Sequence, residues 1–473
     1  MPIDLMLSGG VSRTSTRAFT RTMRPWTMLV VALVALVALV ALVAMGARDV
    51  AAQSRAGVAS LSVDGRSSDN VSIAASGRFV AVSWSAATTG VVDIYAAASR
   101  DGGATFSAPV RVNDTPGRAR VNGEMPPRVA LVPRAVGDPE VVVVWTNKEE
   151  KDWRLLVARS TDGARSFGAT ALVPGSETGG SRGWESVTVD AAGRVVVAWL
   201  DHRELETVAR TSTKRAKRDS STTTATKSAN TPMTHAHASP GDEMSESERM
   251  AGHSQLYATT LGGVAPRPIA RSVCYCCKTS MTTSGRDVYV VWRHVFPGNQ
   301  RDIAIAASRD GGVRFGEPTR VSNDQWVFDG CPDNGPAVAV DGAKRVHVAW
   351  VTPEAGGDPS KMVLYYSTSS DARTFAPRQR VPATGLPGHA QLAAEPGGEV
   401  LLAWDEIGGG VRRVKLARVR AGSGGSASIA AVAAPNGGDG RSPALATSAA
   451  GALMAWVATP QGGASTIAVA RVR

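Results

Sequence analysis

The chain is 473 residues long, 43% apolar and 20% charged, with a formal net charge of +11 at pH 7. That apolar share excludes a wholly disordered chain and is ample for a core. The basic excess falls on arginines at the ends of apolar runs, not on a stripe interleaved with aromatics, which excludes a nucleic-acid groove.

Arg13, Arg17, Arg21 and Arg24 precede an unbroken apolar run at 28–45, and the small residues Val50, Ala51 and Ala52 follow it. This order predicts a signal peptide over 1–52, with an uncleaved N-terminal membrane anchor as the alternative. Either way the body, 53–473, is expected outside the cytoplasm, as a periplasmic, cell-surface or secreted protein. The only membrane contact expected is through such an anchor.

From residue 57 the chain repeats. A short apolar strand carrying a tryptophan recurs seven times, at Trp84, Trp145, Trp199, Trp292, Trp350, Trp404 and Trp456, with intervals of 61, 54, 93, 58, 54 and 52 residues. A unit of this length made only of short strands is one propeller blade. In each unit an inner strand comes first (71–75, 128–132, 186–190, 279–283, 337–341, 391–394, 444–447). A polar turn, the Trp strand, a third strand and a fourth strand follow. The last unit stops after its third strand, 466–472, and a spare strand at 57–63 precedes the first. Pairing the two closes the ring. The expected fold is therefore all-β, a propeller of four-stranded blades, seven by repeat count or six if two units merge. It is expected to be a monomer.

One interval is too long. Residues 204–253 fall between the second and third strands of blade three and are rich in Ser, Thr and Lys. Such a composition buries too little apolar surface to offset the entropy of ordering, so a disordered loop is expected.

The turns between third and fourth strands carry a motif. Ser99, Asp101, Gly103, Thr105 and Phe106 recur as Ser160, Asp162, Ala164, Ser166 and Phe167, as Ser308, Asp310, Gly312, Arg314 and Phe315, and in shortened form as Ser369, Asp371, Thr374 and Phe375. This pattern resembles the Asp-box of sialidases and BNR-repeat proteins. The resemblance covers the body from about residue 57 onward. It implies a glycan-directed propeller, with exo-acting hydrolysis of acidic sugars as the activity to test. The sialidase Arg-Ile-Pro motif is absent. Cys274, Cys276 and Cys277 with the Asp329-Gly330-Cys331-Pro332 segment resemble exported bacterial BNR-repeat proteins that carry a Cys-x-Cys-Cys pattern.

Loops that enter the inner strand and loops that leave the second strand share one face of a propeller, where sites concentrate. Glycoside hydrolysis needs paired carboxyls, and Glu185, Asp201, Asp405 and Glu406 are the candidates there, with Glu124 and Asp329 on the same face. Arg182, Arg203, Arg293 and Arg441 are the candidate binders of an acidic sugar. All four cysteines, Cys274, Cys276, Cys277 and Cys331, fall in adjacent loops of this face. Two readings stand for them: two disulfides, with a bridge to Cys331 stapling blade four to blade five, or a thiolate site for Zn or Cu joined by His202, His294 or His389. The second function class is thus a noncatalytic envelope propeller that binds a metal or a partner protein through its Cys/His face.

Overall fold

The computed structural model describes residues 54–55, 57–205, 244–263, 265–354, 361–422, 425–459 and 463–473. The expected leader at 1–52 and residues 206–243 of the insertion lie outside the described residues. Among the described residues no helix is long and apolar enough to cross a membrane.

Seven antiparallel sheets form a propeller, and six of the blades run from inner to outer strand in sequence order. Blade one is Ser67–Ser76, Phe79–Thr88, Val91–Ser99 and Val110–Arg111. Blades two to six repeat this order. The seventh takes Val58–Leu61 as its fourth strand, paired with Thr466–Val472 through Val58 to Ala470 and Leu61 to Ile467. Ser54–Arg55 adds a fifth strand outside it. Closure by the N-terminal strand is as expected, and the blade count is seven. Residues separated by most of the chain thus become sheet neighbours, and the ring closes with only short outer edges on its blades.

The second strands explain their own composition. Each lies inside its blade with both faces covered, so it reads as a continuous apolar run rather than an alternating one. Val141, Val142, Val143, Val144 and Trp145 are all fully buried. Alternate residues serve different neighbours. Val143 and Trp145 pack with Ala81 and Ile94 of blade one, whereas Val142 and Val144 pack with Val197 and Trp199 of blade three. Every repeat tryptophan points the same way, into the layer shared with the preceding blade: Trp84 with Leu453 and Val457, Trp292 with Leu256, Trp456 with Leu401. Each such ring contributes roughly 3 kcal/mol by burial alone.

The motif turns are hydrogen-bonded alike. Ser99 Oγ accepts from the Gly103 amide at 2.8 Å, and Asp101 Oδ1 accepts from the Ala104 and Thr105 amides at 2.9 and 3.0 Å. Ser160 with Asp162, and Ser308 with Asp310, repeat the same bonds. The turn needs left-handed backbone at its fifth residue: Gly103 has φ +88° and Gly312 +85°, and Ala164 holds the same shape at +65°. The Gly102 amide donates to Arg78 O in the turn between inner and second strands. The motif turns therefore occupy the end of the blades opposite the candidate site loops.

The insertion is not wholly irregular. Glu246–Gly252 is a helix capped by Ser245, with Ala251 fully buried. Ser247 Oγ donates to Asp329, and Arg301 and Asn299 donate to Ser247 Oγ at 2.9 and 3.1 Å. At this C-terminal end of the insertion, Ala251 in an apolar layer with Leu256 and Trp292 and the Ser247 hydrogen bonds together hold the helix against the propeller.

Candidate functional site

Four inner strands enter the channel end through the same irregularity. The register slips between Asp69 and Ser72, Gly183 and Ser186, Gly388 and Gln391, and Arg441 and Ala444. In each bulge one residue takes positive φ: Asn70, Trp184, His389 and Ser442, at 50–54°. Bulges re-aim side chains. The residue after each is Val71, Glu185, Ala390 or Pro443. An apolar slot in three blades is thus a carboxylate in blade three.

Several candidate carboxylates have a structural task that strand geometry explains. Residues two apart on a strand share a face. Asp201, His294 and Glu406 each stand two residues after a repeat tryptophan, and each accepts its indole N–H: Trp199 to Asp201 Oδ2 at 3.1 Å, Trp292 to His294 Nδ1 at 3.3 Å, Trp404 to Glu406 Oε2 at 3.2 Å. Glu406 also accepts from the Thr384 hydroxyl at 2.6 Å and pairs with Lys415. Asp201 is further saturated by Arg182 Nε at 3.1 Å and Arg203 NH2 at 2.6 Å.

The four candidate arginines are likewise committed. Arg182 is fully buried and spends NH1 on the Thr178, Gly179 and Gly180 carbonyls. Arg203 stacks over Tyr257 at 4.8 Å. Arg293 is buried and donates to the carbonyls of Asn334, Arg301 and Val351, tying blade four to blade five. Arg441 joins blade seven to blade one through Asp69 at 2.5 Å. Arg182 and Arg293 are buried, whereas the Arg203 and Arg441 side chains stay 29% and 35% exposed. His202 is buried against Trp184 at 5.3 Å, and His294, half-buried, packs against Phe296 at 4.4 Å. Burial drives both imidazoles down to about 4, so both are neutral at pH 7.

What converges at the channel end is a different set. Glu124, from the loop entering blade two, accepts at Oε2 from the Lys278 amide at 3.1 Å and the Gly335 amide at 2.7 Å. Lys278 Nζ, buried, donates to Ala390 O at 2.6 Å. Burial lowers its ammonium to about 8, with Arg128 adding to the effect and Glu124 and Asp405 opposing it. Glu185 accepts from the Thr146 hydroxyl at 3.0 Å, and complete burial raises its carboxyl to about 7. Oε1 of both Glu124 and Glu185 lacks a hydrogen-bond partner among the described residues. Asp405 Oδ2 meets His389 Nδ1 at 2.8 Å and the Ser442 amide at 2.6 Å, and its Oδ1 takes Arg412 NH1 at 2.6 Å. Burial works against a charged His389, but the Asp405 carboxylate outweighs it and the imidazole is raised.

Beside this set lies a cleft of about 440 Å³, lined by Trp326, Phe328, Cys331, Asp333, His389 and Arg412 among others. The Trp326 and Phe328 rings stack with centroids 5.3 Å apart. Partial burial and the nearby Glu124 charge raise the Asp333 carboxyl, against the pull of His389. Asp333 nonetheless still reaches solvent. Trp326, Phe328, Asp333 and Arg412 are not among the candidate residues the sequence singles out. Two aromatics two residues apart just before the Asp329–Pro332 segment were the available signal.

The cysteines divide. Cys276 and Cys331 form a disulfide that staples the loops entering blades four and five, while Cys274 and Cys277 are free and buried. The Sγ atoms of Cys274, Cys276 and Cys277 all lie within 4.8 Å of one another, but no histidine joins that group among the described residues. With Cys276 and Cys331 bonded to each other, a four-thiolate Zn or Cu site does not fit this arrangement. His202, His294 and His389 stand in separate surroundings.

No protein-family model matches the chain, and no curated protein matches it. Solved structures similar to it include a polysaccharide lyase, at 11% identity and TM-score 0.48 over 89% of this chain and 93% of that one. An alpha-L-arabinofuranosidase from Fusarium graminearum is similar at 12% identity and TM-score 0.46, covering 86% and 93%. A sialidase from Trypanosoma rangeli is similar at 12% and 0.39, covering 75% and 55%. None of these likenesses lends a residue role to this chain.

Proposed function

We propose that the chain is a glycan-directed propeller whose binding site is the cleft between blades five and six. The observation that carries this reading is the composition of that cleft. Phe328, half-buried and backed by the buried Trp326, gives an apolar face of the kind that covers the C–H side of a sugar ring. Arg412 and the raised His389, both held by Asp405, place positive charge beside it. An acidic sugar fits this pairing, since its carboxylate finds charge-assisted donors there.

In hydrolysis of that sugar the acid is Asp333, whose raised carboxyl keeps a proton longer than an ordinary aspartate. The motif turns are read as Asp-boxes and support placement near the BNR-repeat propellers. The leader is read as an export signal, so the substrate is met outside the cytoplasm.

Calorimetry with uronic-acid and neutral oligosaccharides tests the binding. The expected outcome is preference for the acidic series, lost in Arg412→Ala and weakened about tenfold or more in Trp326→Ala. Equal failure of both series would sink the reading. Acidic binding that survives both substitutions would move the site elsewhere.

A further inference from the structure

The four cysteines hold two oxidation states side by side. Cys274 Sγ lies 3.2 Å from Cys277 Sγ and 3.8 Å from Cys276 Sγ. Cys276 in turn is bonded to Cys331. The free pair therefore touches the bonded pair. Cys274 and Cys277 also have the Cys-x-x-Cys spacing of dithiols that close into a disulfide. At its other end the bridge leaves the core: Cys331 is exposed and lines the cleft. Cys274, Cys276 and Cys277 are buried.

We propose that Cys274, Cys276, Cys277 and Cys331 form a thiol–disulfide exchange centre, in which the disulfide passes between Cys276–Cys331 and Cys274–Cys277 and delivers a reactive thiol to the cleft. The Cys274 thiolate attacks Cys276 Sγ. A Cys274–Cys276 bond forms, the Cys276–Cys331 bond breaks, and its electron pair leaves on Cys331, which takes a proton from cleft water. Cys277 then loses its proton and attacks Cys274 Sγ, and Cys276 departs as the thiol. One disulfide and two thiols exist before and after, so no oxidant or reductant enters. Exchange of this kind needs only an attacking thiolate and an accessible sulfur.

The surroundings favour the attacking group. Arg301 NH1 reaches Cys274 Sγ at 3.6 Å, and Arg301 is itself fixed by Phe328 O at 2.7 Å and Ser247 Oγ at 2.9 Å. Burial works against the Cys274 thiolate, but the Cys277 thiol and the Arg301 and Arg293 guanidiniums outweigh it and bring Cys274 down to about 6. Cys277 is pushed well up by burial and by that neighbouring thiolate, so the two sulfurs take distinct roles. The loop carrying Cys331 stays anchored on both sides when the bridge opens. Asp329 is held by Ser247, and Gly335 by Glu124. The liberated thiol is then available to attack a small-molecule or protein disulfide that enters the cleft, the displaced sulfur leaving as a thiol.

This inference is independent of the glycan reading, and its test does not use a sugar. The full chain, purified without reductant, is incubated with iodoacetamide at neutral pH, and its cysteines are mapped by mass spectrometry. Cys331 is expected to become alkylated while a Cys274–Cys277 disulfide accumulates. In Cys274→Ser, Cys331 labelling is expected to slow by about tenfold or more, the disulfide staying at Cys276–Cys331. An unchanged thermal transition in Cys274→Ser excludes misfolding, and Cys277→Ser, which retains the first step but not the second, serves as the second variant. Two static disulfides with no free thiol, or an unlabelled Cys331 in the unmodified chain, would overturn the proposal.

Discussion

Glu124 Oε2 accepts the Gly335 amide at 2.7 Å across 211 residues of sequence, and the same oxygen accepts the Lys278 amide at 3.1 Å. One carboxylate thereby ties the entry loops of blades two, four and five around the channel. The Glu124 side chain is buried, so removing it strands two backbone donors in a site poor in water.

Glu124→Ala is therefore expected to lower unfolding stability by about 2–4 kcal/mol, from the desolvation of those two amides. Glu124→Gln keeps one acceptor oxygen and should lose less than half of that. Urea unfolding followed by tryptophan fluorescence measures both. Equal losses would show that charge, not acceptance, matters at this position.

Glu185 has its carboxyl raised by burial from 4.5 to about 7. The folded state then holds a proton that the unfolded chain has released. Its contribution is complete below about pH 4.5 and is lost as pH rises toward 7. Glu185→Gln, which keeps an acceptor for Thr146, should be more stable than the unmodified chain at pH 8, by a few kcal/mol at most. The two should converge near pH 4.5. Thermal melts across this range check the convergence.

His202 and His294 act in the opposite sense. Both are depressed from 6.5 to about 4 by burial. The unfolded chain binds their protons first, so stability falls as pH drops from 6.5 toward 4. His202→Phe, which preserves a ring against Trp184, should shrink the loss over that window. A pH series of denaturation midpoints shows whether it does.

The Arg182–Asp201 pair is completely buried. Asp201→Ala leaves Arg182 without its carboxylate and is expected to cost about 3–5 kcal/mol. Neither residue lines the cleft. Oligosaccharide affinity at a temperature where the variant is folded should therefore be unchanged. A large affinity loss in the folded variant would restore Asp201 to the ligand site.

Much of the architecture is local, and the sequence shows it. Tryptophan on a doubly buried strand, Gly or its stand-in at the fifth position of the three full-length motif turns, and apolar runs at a regular interval are each set by neighbours within one unit. Even the indole acceptors are legible after the fact: Trp199 with Asp201, Trp292 with His294 and Trp404 with Glu406 obey the two-residue period of a strand. Polar groups near a rim look alike in sequence, whether they cap an indole or face a ligand, so Asp201, His294 and Glu406 stand among the candidate site residues.

The sequence by itself determined the all-β class, the seven repeat units and the closing pairing of an N-terminal strand with the last, because a period and its missing final strand are countable along one dimension; that no two units merge was decided by the sheets. Only the tertiary structure decided which side chains meet at the channel end. Ring closure brings Glu124 to Lys278 and Gly335, sets His389 into Asp405 through a bulge, and selects Cys331 for Cys276 over its two neighbours. Those choices depend on loop conformation and on distances across the channel, and no local preference in the chain encodes either.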